Sequence, residues 1–479
     1  MASQLCNEFR CFTNAGLGAF GLVIAVFSLL ATTAASGTDA FQHACSEPNA
    51  VVAYGGAGEG EGRGIAVRDG AVYVTGGTNL STNLDLVVLK YVLPSGGLQF
   101  EQVWLGDHPT PPCVTPDQHD LGDGIAVTGE GAYVAGFTLT CASDGVGDKE
   151  GKSLLLKVDP ATGSPLWWHS PNLFGYTGGE YFFAAASAVE GADTFVYAAG
   201  TAQANGANFT STLAKYAATG GPPVWALPYL SQGFGVHSRN QGVVTAGGMI
   251  YASGFNDDAG AGSRKAHLLK VQPDGTEVWT RHHAPAGTQA EGWAVATDGS
   301  GGFYVVGFAE PGPSGGKDVL VVKWDQDGNF QWDALWGGTA EDWAYGAVFL
   351  AGSLYVPGHT RSLGAGGSDV FLLELDPADG SLRKEQLWGG AMDETARAIS
   401  TDGLDLFLTG SRMSSGAGGR DLVVLRWPLC PSTVVLYGGA GEDEGRGIAV
   451  RDGAVYVTGG TNLSTNLDLV VLRLVPPVT

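Results

Sequence analysis

Asp69–Lys90 reads Asp-Gly-Ala-Val-Tyr-Val-Thr-Gly-Gly-Thr-Asn-Leu-Ser-Thr-Asn-Leu-Asp-Leu-Val-Val-Leu-Lys. Two apolar runs rich in Val, Leu and Tyr flank a polar loop, the composition of two neighbouring strands. The stretch returns almost unchanged as Asp452–Arg473, and looser versions lie between. Its marker, aromatic-x-x-Gly, occurs at Tyr73–Gly76, Tyr133–Gly136, Tyr197–Gly200, Tyr251–Gly254, Tyr304–Gly307, Tyr355–Gly358, Phe407–Gly410 and Tyr456–Gly459. Successive aromatics are 60, 64, 54, 53, 51, 52 and 49 residues apart. A period near 50 belongs to propeller blades.

A second apolar run follows each marker, among them Leu84–Lys90, Ser153–Val158, Lys317–Trp324 and Arg420–Trp427, and many carry a basic residue late in the run. A turn such as Asp327-Gly328 and then a tryptophan usually come next. Each repeat thus supplies four strands. One opens near Trp104, Trp168, Trp225, Trp279, Trp332 or Trp388, and a small-residue strand such as Gly64–Val67 follows it. The aromatic strand and the apolar run complete the unit. No repeat leaves room for a crossover helix, so neighbouring strands are expected to be antiparallel. The expected fold is all-β: a β-propeller of four-stranded antiparallel blades, built from eight repeats. A seven-bladed ring with the first or last copy outside is the alternative, because Tyr54–Leu89 and Tyr437–Leu472 differ only at Gly60 against Asp443.

The recurring Gly-Gly, acidic residue, Ile-Ala-Val, Tyr-Val-Thr-Gly, Asp-x-x-Val-x-Lys and Gly-x-x-x-Trp resemble the bacterial seven-bladed β-propeller repeat often called the SBBP repeat. The resemblance covers roughly residues 49–479. It implies a scaffold found in secreted and surface proteins and does not itself name a function.

Of the 479 residues, 44% are hydrophobic, enough for a large core, and Gly 76 against Pro 22 fits many tight turns. A formal net charge of -23 excludes nucleic acid and anionic membrane surfaces as partners. Residues 1–35 read as a signal peptide, with an uncleaved anchor as the alternative. A short linker, 36–48, precedes the propeller, and nothing later resembles a membrane span. The expected location is secreted or cell-surface, as a monomer. Cys6 and Cys11 fall in the leader. Four cysteines in an exported chain suggest two disulfides. Cys113 and Cys141 occupy loops expected on one side of a single repeat, so they are expected to pair. Cys45 and Cys430 remain, by elimination, to staple the ring.

Acidic residues recur just before the small-residue strand: Glu61, Asp120, Glu180, Glu291, Glu341 with Asp342, Asp393 with Glu394, and Glu444. In a ring they would form a circlet at one mouth of the channel, able to hold calcium or a basic ligand, or else to satisfy turn amides. Asp325–Asn329 lacks the late glutamate of a calcium loop and reads as a hairpin. Gly55–Gly64 precedes a strand, so it is no phosphate loop. Gly312–Gly316 fits Gly-x-Ser-x-Gly only formally, because no helix follows. His282-His283 alternate across a strand and cannot easily share one metal. His108, His119 and His169 read as loop histidines. Trp167, Trp293, Trp336, Trp343, Phe174, Tyr176, Tyr181 and Phe182 fall outside the tryptophan pattern, and any at a rim could stack on sugars.

These readings favour a non-enzymatic binding scaffold for protein or glycan, without a cofactor. Val158–Trp167 is similar to the tryptophan-docking motif of eight-bladed quinoprotein dehydrogenases, but the match is good in one repeat only. A hydrolase or lyase with paired carboxylates at the mouth is the third reading.

Overall fold

The computed structural model describes residues 50–54, 60–78, 85–92, 97–104, 120–141, 149–170, 173, 179–204, 208–229, 237–257, 264–413, 419–428, 434–438, 441–462 and 468–475. Every regular element among them is a strand, and all named strand pairs are antiparallel. They form eight sheets arranged as a β-propeller. Blade 1 spans residues 60–104, blade 2 120–169, blade 3 180–229, blade 4 238–283, blade 5 289–336, blade 6 342–388 and blade 7 394–437. Blade 8 takes three strands from 444–474 and its fourth from the other end of the chain. Ala50–Tyr54 pairs with Asp468–Leu474, Val52 opposite Val471, and closes the ring.

Each blade has the small-residue strand innermost, then the aromatic strand and the apolar run; the outermost strand carries the tryptophan in blades 1–6 and is Val434–Tyr437 in blade 7 and Ala50–Tyr54 in blade 8. The tryptophan strand therefore closes a blade. The sequence reading, which had it open one, placed the boundary one strand too early. Two-residue turns join the inner and second strands of several blades. Asp69 and Gly70 both have positive φ, 49° and 72°, as do Asp452 and Gly453 at 51° and 71°, which a type I′ hairpin requires.

The core lies between blades rather than within them. Eight apolar clusters each join two successive blades, the last joining blade 8 to blade 1. Each sheet is covered on both faces, so Ala71–Thr78 is buried throughout and Asp85–Val92 at all but its last residue. That is why these strands read as continuous apolar runs without alternation.

The late basic residue stitches one blade to the next. Lys157 Nζ donates to Ala218 O at 2.7 Å, Lys215 to Pro273 O at 2.7 Å and Lys270 to Gln326 O at 2.6 Å. The same ammonium groups lie 5.4, 5.7 and 5.6 Å from the rings of Tyr133, Tyr197 and Tyr251, within cation–π range. Trp167, Trp225, Trp279 and Trp332 stand opposite these lysines and Lys323, and tilt onto the same tyrosines and Tyr304 at 5.9–6.1 Å. This register corrects the tryptophan pattern. Trp167 holds the structural position and Trp168 is exposed. Trp104, Trp336 and Trp388 form a second set, opposite the start of the third strand.

Candidate binding site at the channel mouth

The glycine of aromatic-x-x-Gly builds the mouth. A Cβ on Gly76, Gly136, Gly200, Gly254, Gly307, Gly358, Gly410 or Gly459 would lie 1.7–1.9 Å from a carbonyl oxygen of the adjacent inner strand. Only glycine lets that backbone fold over it. In seven inner strands the fold-over is a β-bulge, with the register shifting at residues 62/64, 122/124, 182/184, 240/242, 292/294, 396/398 and 445/447. In blade 6 the inner strand breaks instead, into Asp342–Ala344 and Val348–Leu350. The extra residues are Arg63, Asp123, Phe183, Gln241, Trp293, Arg397 and Arg446, and such bulges re-aim side chains.

Half of the mouth is an ion-pair chain across four blades. Arg397 meets Glu444 at 2.8 Å, and Glu444 meets Arg446 at 3.3 Å. Arg446 reaches Glu61 at 2.9 Å, Glu61 holds Arg63 at 2.7 Å, and Arg63 ends on Asp123 at 2.6 Å. Burial pushes the Asp123 carboxyl up, and Arg63 pulls against it. Each carboxylate in this chain faces at least one guanidinium, which removes the free charge a cation would need.

The other half is aromatic. Trp343 and Tyr345 stack at 6.3 Å, and Trp293 meets them edge-on at 5.5 and 5.2 Å. Lys317 lies 4.1 Å over Trp343 and Arg397 4.8 Å over Tyr345. In blade 3, the rings of Tyr181 and Phe183 are nearly parallel, 6.4 Å apart at 11°. These rings are half-buried. Between blades 3 and 4 the mouth deepens into a cavity of about 500 Å³.

The acidic circlet splits in two. Glu61, Glu291 and Glu444 reach the mouth. Asp120, Glu180, Asp342 and Glu394 sit one residue earlier in the register, opposite Thr138, Ala202, Thr360 and Arg412. Alternation turns those four away, and all are buried. All seven lie inside inner strands rather than before them. Asp393, just outside, accepts the Ser368 amide at 2.9 Å. The Gly338 and Gly390 amides donate to Asp342 and Glu394 at 2.9 and 2.6 Å. Asp318 packs against Asp342 over Gly337, where a Cβ would lie 2.4 Å from an oxygen of each, so the Trp-Gly-Gly sequence is a packing requirement. Burial with Asp342 nearby pushes Asp318 up to about 6. Burial likewise pushes Asp120 up to about 7, against a Thr138 hydrogen bond and with the Asp85 charge adding to the rise.

Other candidates fall away from the mouth. Asp325 accepts the Asp327 and Asn329 amides at 2.9 and 2.8 Å, an ordinary hairpin turn. His283 stacks on Phe330 at 4.7 Å, while His282 meets His267 edge-on at 6.1 Å. His169 stacks on Tyr216. Cys45, Cys113 and Cys430 lie outside the described residues, as does the Cys141 side chain, and so do His108, His119, Phe174 and Tyr176. Among the described residues no group of three His, Cys, Asp or Glu is placed to hold a metal ion, and no helix is long and apolar enough to cross a membrane.

Sequence reading named Trp293, Trp343 and Tyr181 but missed Phe183, Arg239, Phe209, His237, Phe255 and Arg264. Aligning the repeats on the glycine and reading the bulged residue and the position two before it would have found Phe183 and Arg239.

No family model matches the chain, and no curated protein matches it. Among solved structures it is similar to Sqt1 from Chaetomium thermophilum, at 12% identity and TM-score 0.53, over 90% of this chain and 99% of that one. The WD40 domain of SCAP from fission yeast matches at 10% identity and TM-score 0.47, over 89% and 98%. Polysaccharide lyase Uly1 matches at 9% and 0.44, over 92% and 93%. Likeness at this level gives the β-propeller fold and leaves function to the site.

Proposed function

We propose that the chain is an exported or cell-surface propeller of the SBBP type that binds a glycan or protein ligand at the channel mouth, without catalysis. The observation that carries this is the division of the mouth. One half is closed by arginine–carboxylate pairs, and the other offers half-buried aromatic faces beside cations. Aromatic rings with cationic neighbours form binding surfaces on otherwise regular scaffolds. Calcium, if bound, belongs in this reading to turns outside the mouth. Of the carboxyls pushed upward, Asp120 and Asp318 are buried, and Asp123 at the mouth is held by Arg63 at 2.6 Å. A general acid would need one in the open pocket.

A panel of immobilised oligosaccharides, neutral and acidic, tests the reading with the full chain and with Trp343→Ala. Retention by the parent and at least about tenfold weaker retention by the variant is expected. Equal retention by both, or catalytic turnover of a retained sugar, overturns it.

A further inference from the structure

The cavity between blades 3 and 4 holds a cation, Arg239, with no carboxylate partner among the described residues. Arg239 leaves the inner strand Ser238–Ala246 just before its bulge, and its guanidinium lies 3.9 Å over the Phe183 ring. Its Nε is buried with no hydrogen-bond partner among the described residues. Arg264, by contrast, is held by Asp257 at 2.9 Å and by Glu291. No acceptor is bonded to the guanidinium among the described residues, and Arg239 lines the cavity, so its terminal edge can take an acceptor brought by a ligand.

A second donor is fixed beside it. The Phe209 amide donates to His237 Nδ1 at 3.3 Å. The neutral ring then carries its hydrogen on Nε2. The lining is aromatic: Tyr181 and Phe183 hold nearly parallel rings, and Phe209 and Phe255 add two more.

We propose that this cavity binds a carboxylated sugar, a hexuronate at a chain end, with its carboxylate on the edge of Arg239 and its ring against Tyr181 and Phe183. This deepens the channel-mouth reading and rests on it. A guanidinium edge takes a carboxylate through two parallel hydrogen bonds. Asp123 and Glu291 act on Arg239 through space, and the chain as a whole carries -23. Both favour one negative charge over a phosphate dianion or a long polyanion. A pyranose presents C–H groups on its faces and hydroxyls on its rim, which suits an aromatic lining with one imidazole donor. A volume of about 500 Å³ holds one or two sugar units.

Calorimetric titration of the full chain with glucuronate, glucose and benzoate tests this. Glucuronate is expected to bind with Kd on the order of 1 mM, as a small polar ligand should, and glucose and benzoate at least about tenfold more weakly. Arg239→Met should abolish binding and Arg239→Lys weaken it about tenfold, because the bidentate edge is lost. Near-ultraviolet circular dichroism and the melting temperature of each variant show whether it is folded. If Arg239→Met binds normally while Trp343→Ala does not, the cavity assignment falls and the broader mouth reading stands. Benzoate binding as tightly as glucuronate would remove the sugar from the proposal. No glucuronate binding would overturn the proposal outright, and retention of neutral oligosaccharides would still leave the mouth a binding surface.

Discussion

Replacing Gly200 by alanine would test how the mouth is built. An ideal Cβ there lies 1.8 Å from the Tyr181 carbonyl oxygen and 2.8 Å from Phe182 Cα, where ordinary contact begins near 3.4 Å. The two backbones must part by more than 1 Å, which breaks the bulge that aims Phe183. Overpacking of rigid backbone, with loss of ladder hydrogen bonds, sets the expected loss at roughly 3–5 kcal/mol. Gly191 is the control. Its φ is +65° and nothing lies within 4 Å of a Cβ there. An alanine at Gly191 meets only the left-handed backbone penalty, about 1 kcal/mol. Urea unfolding followed by tryptophan emission, with parent and both variants side by side, gives the difference. Equal losses for Gly200→Ala and Gly191→Ala would refute the claim that close approach, rather than backbone angle, makes these glycines necessary.

Other outcomes follow from the same geometry. Asp120 is pushed up to about 7 when folded, so the folded chain binds the extra proton; stability is fullest below pH 4 and declines as pH rises through about 7. Asp120→Asn should therefore gain on the order of 2–4 kcal/mol at pH 8 and little at pH 4, read from urea midpoints at the two pH values. Lys157→Met removes the ammonium that holds the Ala218 carbonyl and should cost about 1.5–3 kcal/mol in the same assay, as charged hydrogen bonds do. Removing residues 1–54 deletes the closing strand and bares the edge of Asp468–Leu474. The truncated chain should melt several degrees lower and self-associate in light scattering, while an unchanged melting temperature and a monodisperse sample would argue against closure by that strand.

The fold was legible because the glycine recurs in every blade and the tyrosine and late basic residue in most of them, each answering one packing demand. Tyr133, Lys157 and Trp167 meet at one blade junction, and so do Tyr197, Lys215 and Trp225. Blade phase was not legible, because a tandem repeat reads the same from any starting strand. Only the pairing of Ala50–Tyr54 with Asp468–Leu474 settles it. The acidic circlet was misplaced by one residue: Glu61 and Asp120 look equivalent in sequence, yet alternation sends one to the channel and buries the other. Trp167 and Trp168 exchanged roles for the same reason. Arg239 is not marked within its own repeat, since its meaning comes from Phe183, 56 residues earlier in the neighbouring blade, and only aligned repeats bring the two positions out.

Whether ligands sit on the aromatic half of the mouth is decided by a crystal structure grown with an oligosaccharide retained from the panel. Sugar density packed on Trp343, Trp293 or the Tyr181 and Phe183 rings is the expected result. Density at the opposite end of the channel, over hairpins such as Asp159–Ser164, or none at the mouth, would contradict it.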